Sequence, residues 1–141
     1  MNQRPGVDLN NFFENVIVAY SRAMALDDGV LIDVSETAEE AGICFPVAIT
    51  EAAWTDCVQW SDADTAEREV PQDESGRLWD VVWMMRLAVK ANPDVETVTF
   101  SLYRVSRSGS SRTPQPVTLK AVIGPGDDGD PVITVMMPDE D

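Results

Sequence analysis

The sequence contains no histidine, only two cysteines among its 141 residues, and only 10 basic residues against 25 acidic ones. The absence of histidine excludes the Ser-His-Asp and Cys-His catalytic systems and most zinc sites. Neither Cys44 nor Cys57 lies in a CxxC motif or beside a basic residue, so we expect two reduced, buried thiols. No apolar run reaches the roughly 20 residues of a membrane span, and the N-terminus lacks the pattern of a secretory signal. We therefore expect a cytoplasmic protein that uses no cofactor.

The net charge of −15 is the strongest global feature of the chain. A charge of this sign repels nucleic-acid phosphates and favours partners that are themselves basic. Residues 97–123 are the exception, because they hold four cations and no acid, which leaves −19 on the rest of the chain. The four cations are Arg104, Arg107, Arg112 and Lys120. We expect them to pair with the protein's own acids or with those of a partner rather than with nucleic acid.

The chain is organised around residues 76–91, its longest apolar-rich run, which predicts a helix of about four turns. Leu78, Val81, Val82, Met85, Ala88 and Val89 share one face of this helix, as expected of a core stripe. The opposite flank carries Trp79, Trp83, Arg86 and Lys90. This flank is either covered by a neighbouring helix or the acidic segment that precedes it, or it is a recognition surface, since Trp and Arg dominate interface hot spots.

Helical periodicity dominates the chain up to residue 91, and alternation dominates after Pro93. The predicted helices cover residues 9–24, 35–41, 51–59 and 76–91. The predicted strands cover residues 95–105, 117–123 and 132–137, with a short candidate strand at 30–34. The remaining segments are a loose arm (1–7), an acidic loop (61–75), a hairpin tip (106–116), a turn (124–131) and an acidic tail (138–141). Because helices and strands come in blocks, we predict a single α+β domain: a three- or four-stranded, mainly antiparallel sheet with two main helices packed on it.

Two clusters of carboxylates are the candidate binding residues. The first comprises Asp62, Asp64, Glu67, Glu69, Asp73 and Glu74, and the second Asp127, Asp128 and Asp130. Together they form either a docking face that mimics the phosphate array of DNA or a charge that only keeps the protein soluble. The second cluster is also a candidate divalent-metal loop. It does not fit the EF-hand, because Pro138 stands where the closing glutamate belongs.

Three runs resemble an uncharacterised family of small acidic bacterial proteins carried on plasmids, integrative elements and prophage-like islands. They are AYSRAMALDDGVLIDVSETAEEAGICFPVAITEAAWTDCVQW, GRLWDVVWMMRLAV and LKAVIGPGDDGDPVITVMMPDED. The resemblance implies no activity, cofactor or catalytic residue. It does imply a mobile-element setting, in which small acidic proteins often counter the nucleases of host defence.

The leading hypothesis is a non-enzymatic binding module of a mobile element. It would act on a basic or DNA-binding protein of the host or the element, as a DNA mimic or an anti-defence inhibitor, without contacting nucleic acid or membrane itself. The first alternative is a carboxylate- and metal-dependent enzyme that uses residues 124–131. The second is a homodimer formed through the Trp79 and Trp83 flank or through an exposed strand edge.

Overall fold

A computed structural model describes residues 22–141, which form helices and strands in mixed order. The helices are α1 (22–27), α2 (Ser35–Glu40), α3 (Glu51–Cys57), α4 (Asp62–Arg68) and α5 (Glu74–Ala91). The strands are β1 (Leu31–Asp33), β2 (Val47–Thr50), β3 (Thr97–Arg104), β4 (Gln115–Pro125) and β5 (Pro131–Met136). Within this part of the chain, no helix has the length and apolarity needed to cross a membrane. The predicted arm (1–7) and most of the predicted helix (9–24) lie outside the described residues.

The described strands form one five-stranded mixed sheet in the order β1-β2-β5-β4-β3. The α+β class is confirmed, but the prediction of three or four mainly antiparallel strands with two main helices is not exact. The described part has five strands and five helices, and β2 pairs with β5 in parallel. All four residues of β2 are buried, so this strand lacks the alternation by which a half-exposed strand is detected. The other pairings are antiparallel, as predicted for β3, β4 and β5.

Helix α5 packs against the sheet face that carries the buried, alternate residues of β3. These residues are Val98, Phe100 and Leu102, and Met85 of α5 is fully buried in the same core. Burial of each such side chain contributes about 1.5 to 3 kcal/mol to folding. The predicted core stripe of α5 is therefore confirmed at Met85, Val81 and Val82, whereas Leu78 is only partly buried.

The predicted acidic loop at 61–75 is wrong, because helix α4 occupies its first half and α5 begins within its second half. Ser61 caps α4: its Oγ accepts from the backbone N–H of Asp64 at 3.2 Å, and Asp64 Oδ2 accepts from the N–H of Ser61 at 2.8 Å. The helix ends at Glu69, whose φ of 57° is left-handed. Polar capping rather than an apolar stripe forms this helix, so hydrophobic periodicity could not detect it.

Arg77 joins three parts of the fold although it lies within the apolar run. Its guanidinium donates to the carbonyl of Val58 at 3.1 Å, to the carbonyl of Val105 at 2.9 Å and to Gln72 Oε1 at 2.7 Å. It also stacks on the Trp60 ring at 4.6 Å, while its Nη2 has no hydrogen-bond partner. The residue is only 4% exposed, so α5, the end of α3 and the end of β3 meet at one buried cation.

The turn and the tail that were predicted at the C-terminal end are present. The turn between β4 and β5 requires glycine at position 126, where a Cβ would lie 2.8 Å from Cγ1 of Val132. In the acidic tail, Glu140 Oε1 accepts from Thr50 Oγ1 at 2.7 Å and from the N–H of Met137 at 2.8 Å. The tail is thus attached to the C-terminal end of β2.

Candidate functional site

The arginines of the β3–β4 hairpin form ion pairs with acids of helix α3 and of the 61–75 segment. Arg104 Nη2 lies 2.7 Å from Asp56 Oδ1, and Arg107 Nε lies 2.8 Å from Asp64 Oδ2. The third pair, between Arg112 Nη1 and Glu69 Oε2 at 2.9 Å, is exposed. For the three arginines these contacts confirm the first of the two predicted alternatives, pairing with the protein's own acids rather than with those of a partner, whereas Lys120 Nζ donates to the backbone carbonyl of Glu140.

Much of the first acidic cluster is engaged within the chain. Asp64 is buried, which raises the pKa of its carboxyl, but hydrogen bonds from Ser61 and Arg107 outweigh burial, so that this pKa is lowered from its ordinary value. Asp73 caps α5 by accepting from the N–H of Gly76 at 2.7 Å, and Glu74 accepts from the N–H of Trp60 at 3.2 Å. Among the described residues, Asp62 and Glu67 are exposed and have no hydrogen-bond or ion-pair partner.

The second acidic cluster lies at the other end of the sheet, in the exposed β4–β5 turn. There Asp128 Oδ1 accepts from the N–H of Asp130 at 3.1 Å. Because β4 has 11 residues, its two ends are separated by roughly 33 Å. The two clusters therefore do not form one continuous acidic face. Within residues 22–141, no group of three acidic or cysteine side chains is placed to hold a metal ion.

The two thiols have different environments. Cys57 is fully buried, and burial together with the neighbouring Asp56 raises its pKa to about 12, against the opposing effect of Arg104 and Arg77. Cys44 is exposed, so the prediction that both thiols are buried is wrong for this residue. At neutral pH, Cys57 is protonated and has the chemistry of a structural residue.

The outer flank of α5 carries two stacked indoles. The ring centroids of Trp79 and Trp83 are 5.8 Å apart and their planes differ by 15°. Arg86 lies over the Trp83 ring, with its guanidinium carbon 4.8 Å from the centroid. The two tryptophans retain 37% and 38% of their surface exposed, so within residues 22–141 neither a helix nor the acidic segment covers them completely.

A groove of about 280 Å³ runs between this flank and strand β3. Trp79, Asp80 and Trp83 line it on the helix, and Leu102 and Tyr103 line it on the strand. No described residue hydrogen-bonds or ion-pairs with Asp80. This residue is exposed, but partial desolvation at the groove raises the pKa of its carboxyl against the opposing effect of Arg77. Tyr103 is 70% exposed. We call the groove together with the outer edge of β3 the aromatic edge.

No strand of residues 22–141 pairs with the backbone along the aromatic edge. Strand β3 is last in the sheet order, and the carbonyl of Glu96 accepts from the N–H of Ile123 on β4. Backbone groups alternate in direction along a strand, so those of Thr99, Ser101 and Tyr103 point away from β4. The strand has eight residues, no proline and no charge before Arg104. Three devices that protect an exposed edge, namely short length, proline and charge, are therefore missing from β3 before Arg104, whereas β1 at the opposite edge has three residues and contains Asp33.

Sequence reasoning identified Trp79 and Trp83 but missed Asp80 and Tyr103. A carboxylate between two tryptophans in an otherwise apolar run was a signal for Asp80. Alternation along β3 placed Tyr103 on the outward face, but only the strand order shows that β3 is an edge strand.

Comparisons with known proteins identify the family of this chain but no activity. A search of curated proteins and a search of solved structures both found no match. The sequence profile of a family described as "Family of unknown function (DUF6573)" matches residues 9–141, nearly the whole chain. The chain belongs to this family of unknown function, DUF6573.

Proposed function

We propose that the protein is a non-enzymatic binding module that docks a basic protein partner on its aromatic edge. The observation that carries this proposal is the partly exposed Trp79–Trp83 stack beside a strand edge with which no described strand pairs. Aromatic side chains are typical anchors of protein interfaces, and an unprotected edge offers hydrogen bonds to an incoming chain. Both features converge on one surface.

The charge of the chain supports a basic partner. A net charge of −15 attracts cationic proteins and accelerates their association, especially at low salt. The exposed acids Asp62, Glu67, Asp127, Asp128 and Asp130 contribute to this attraction from two separate places. Because the two clusters lie at opposite ends of β4 and much of the first is engaged within the chain, we assign the docking contact to the aromatic edge and the exposed acids to long-range attraction.

The biological setting is part of the proposal. The resemblance described above implies a bacterial mobile element, and in that setting the partner would be a DNA-processing protein of the host or of the element. Occupation of its basic surface by this acidic module would interfere with its access to DNA, which is the anti-defence role expected from the sequence. The site of action would be the cytoplasm.

The test compares immobilised wild-type protein with two surface variants in an extract of a host that carries the element. We expect a basic protein to be retained at low salt by the wild type and by Val30→Ala, which alters an exposed apolar residue elsewhere. The immobilised double variant Trp79→Ala/Trp83→Ala should not retain this basic protein. Equal retention by all three proteins, or retention of no basic protein by the wild type, would refute the proposal.

A further inference from the structure

The outer edge of β3 has the length and the backbone orientation of a strand-addition site. Thr99, Ser101 and Tyr103 direct their backbone N–H and C=O groups outward, in alternation with residues bonded to β4. An added strand lies about 4.8 Å from its neighbour, and its alternate side chains point to the two faces of the sheet. On the α5 side, those side chains would enter the groove lined by Trp79 and Asp80.

The groove suits one long side chain rather than a free ligand. Its volume of about 280 Å³ lies at the lower limit of small-molecule pockets. Asp80 supplies a carboxylate without a described partner, and Trp79 supplies an indole of the kind on which a guanidinium stacks, whereas the Trp83 ring already contacts Trp79 and the Arg86 guanidinium. The chain itself uses this contact twice, with Arg77 on Trp60 and Arg86 on Trp83.

We infer that the partner adds an extended basic segment to the outer edge of β3, with one arginine side chain seated on Asp80 and the neighbouring Trp79 indole. This inference rests on the proposed function and specifies the part of the partner that is bound. A second copy of the chain is a poorer occupant, because it would bring its own −15 charge and a second Asp80 to the same edge.

The first experiment probes strand addition with a capped heptapeptide that alternates Thr and Arg, titrated into the wild-type protein by calorimetry at low salt. Two further versions carry N-methyl groups on the Thr amides only or on the Arg amides only. Because a strand presents alternate amides to each side, only one of the two sets can face β3. We expect one methylated peptide to lose about tenfold or more in affinity and the other to stay within about twofold. Equal affinities of the two methylated peptides would overturn the inference.

The second experiment tests the seat of the arginine side chain. Asp80→Asn should lower the affinity for the Arg peptide by about five- to tenfold, because it removes the charged pair. The affinity for a version of the peptide with citrulline in place of arginine should be unchanged. Asp62→Asn is the matched control, because it removes the same charge from an exposed site that does not line the groove. A loss for Asp62→Asn as large as that for Asp80→Asn would overturn the assignment, since the binding would then depend on net charge alone.

Two outcomes separate this inference from the proposed function. If retention of the partner depends on Trp79 and Trp83 while both methylated peptides bind equally, strand addition is wrong and the proposed function stands. If retention does not depend on the indoles, the proposed function itself fails. Light scattering that showed a dimer of the wild type, abolished by Ser101→Pro, would assign the edge to a second copy and overturn the inference.

Discussion

Removal of the buried Arg77 guanidinium is expected to be among the most destabilising single changes in this fold. The substitution Arg77→Ala leaves the carbonyls of Val58 and Val105 without their donor, and both of these hydrogen bonds are buried. Each orphaned buried acceptor costs about 1 to 3 kcal/mol. Relief from burying an unpaired Nη2 offsets part of this cost, so we expect the free energy of unfolding to fall by about 3 kcal/mol. That is a large share of the roughly 5 to 15 kcal/mol of a small domain.

A second substitution at the same position refines this prediction. Arg77→Lys keeps the charge and one donor direction, but an ammonium cannot reach both carbonyls in a fixed fork or stack on Trp60 as a plane. We therefore expect Arg77→Lys to lie between the wild type and Arg77→Ala, with a loss of about 1 to 2 kcal/mol. Neither variant touches the groove-lining indoles.

The assay is urea unfolding at pH 7 followed by far-UV circular dichroism, with stability obtained by linear extrapolation. Arg112→Ala is the matched control, because its ion pair with Glu69 is exposed, with 61% and 65% of the two side chains accessible. An exposed pair of this kind contributes about 0 to 1 kcal/mol. If Arg77→Ala were no more destabilised than Arg112→Ala, the buried guanidinium would not join α5 to the end of β3 as we describe.

Three further predictions concern titrating groups. Because the pKa of Asp64 is lowered in the folded protein, its carboxylate stabilises the fold at every pH above the ordinary carboxyl pKa. This stabilisation is lost as pH falls through the pKa of Asp64 in the folded protein. The free energy of unfolding of Asp64→Asn should therefore depend less on pH than that of the wild type below about pH 4. The raised pKa of Asp80 means that its ionised form destabilises the fold at pH 7, so Asp80→Asn should show an unchanged or higher Tm, and a clearly lower one would contradict this. In the folded protein at pH 8, a thiol reagent should label Cys44, and Cys57 should react only after urea unfolds the protein. Rapid labelling of both cysteines in the folded protein would be inconsistent with the burial of Cys57.

The second half of the fold was predictable because its strands are half-exposed. Alternation of buried and exposed residues along β3 and the turn residues before β5 led directly to the observed antiparallel ladder. The core stripe of α5 was equally visible, since Val81, Val82 and Met85 recur at helical spacing. These elements each have one apolar and one polar side, which is the pattern that periodicity detects.

The remaining elements depend on contacts that no local pattern records. Strand β2 is buried on both faces and so shows no alternation, and α4 is held by the Ser61 cap and the Asp64–Arg107 pair rather than by an apolar stripe. The candidate site was predictable only in its two tryptophans. Its other half, the free backbone of β3 with Tyr103, follows from the strand order, which is set by the parallel pairing of β2 with β5.

The central claim is that the outer edge of β3 receives the partner, and amide hydrogen exchange at individual residues tests it most directly. In the free protein, the amides of Thr99, Ser101 and Tyr103 should exchange quickly, while those of Val98, Phe100 and Leu102 are protected by β4. Saturation with the Arg-containing heptapeptide should slow all three fast amides. If these amides were unaffected and those of the β4–β5 turn (126–130) were slowed instead, binding would belong to the acidic turn and the account would be contradicted.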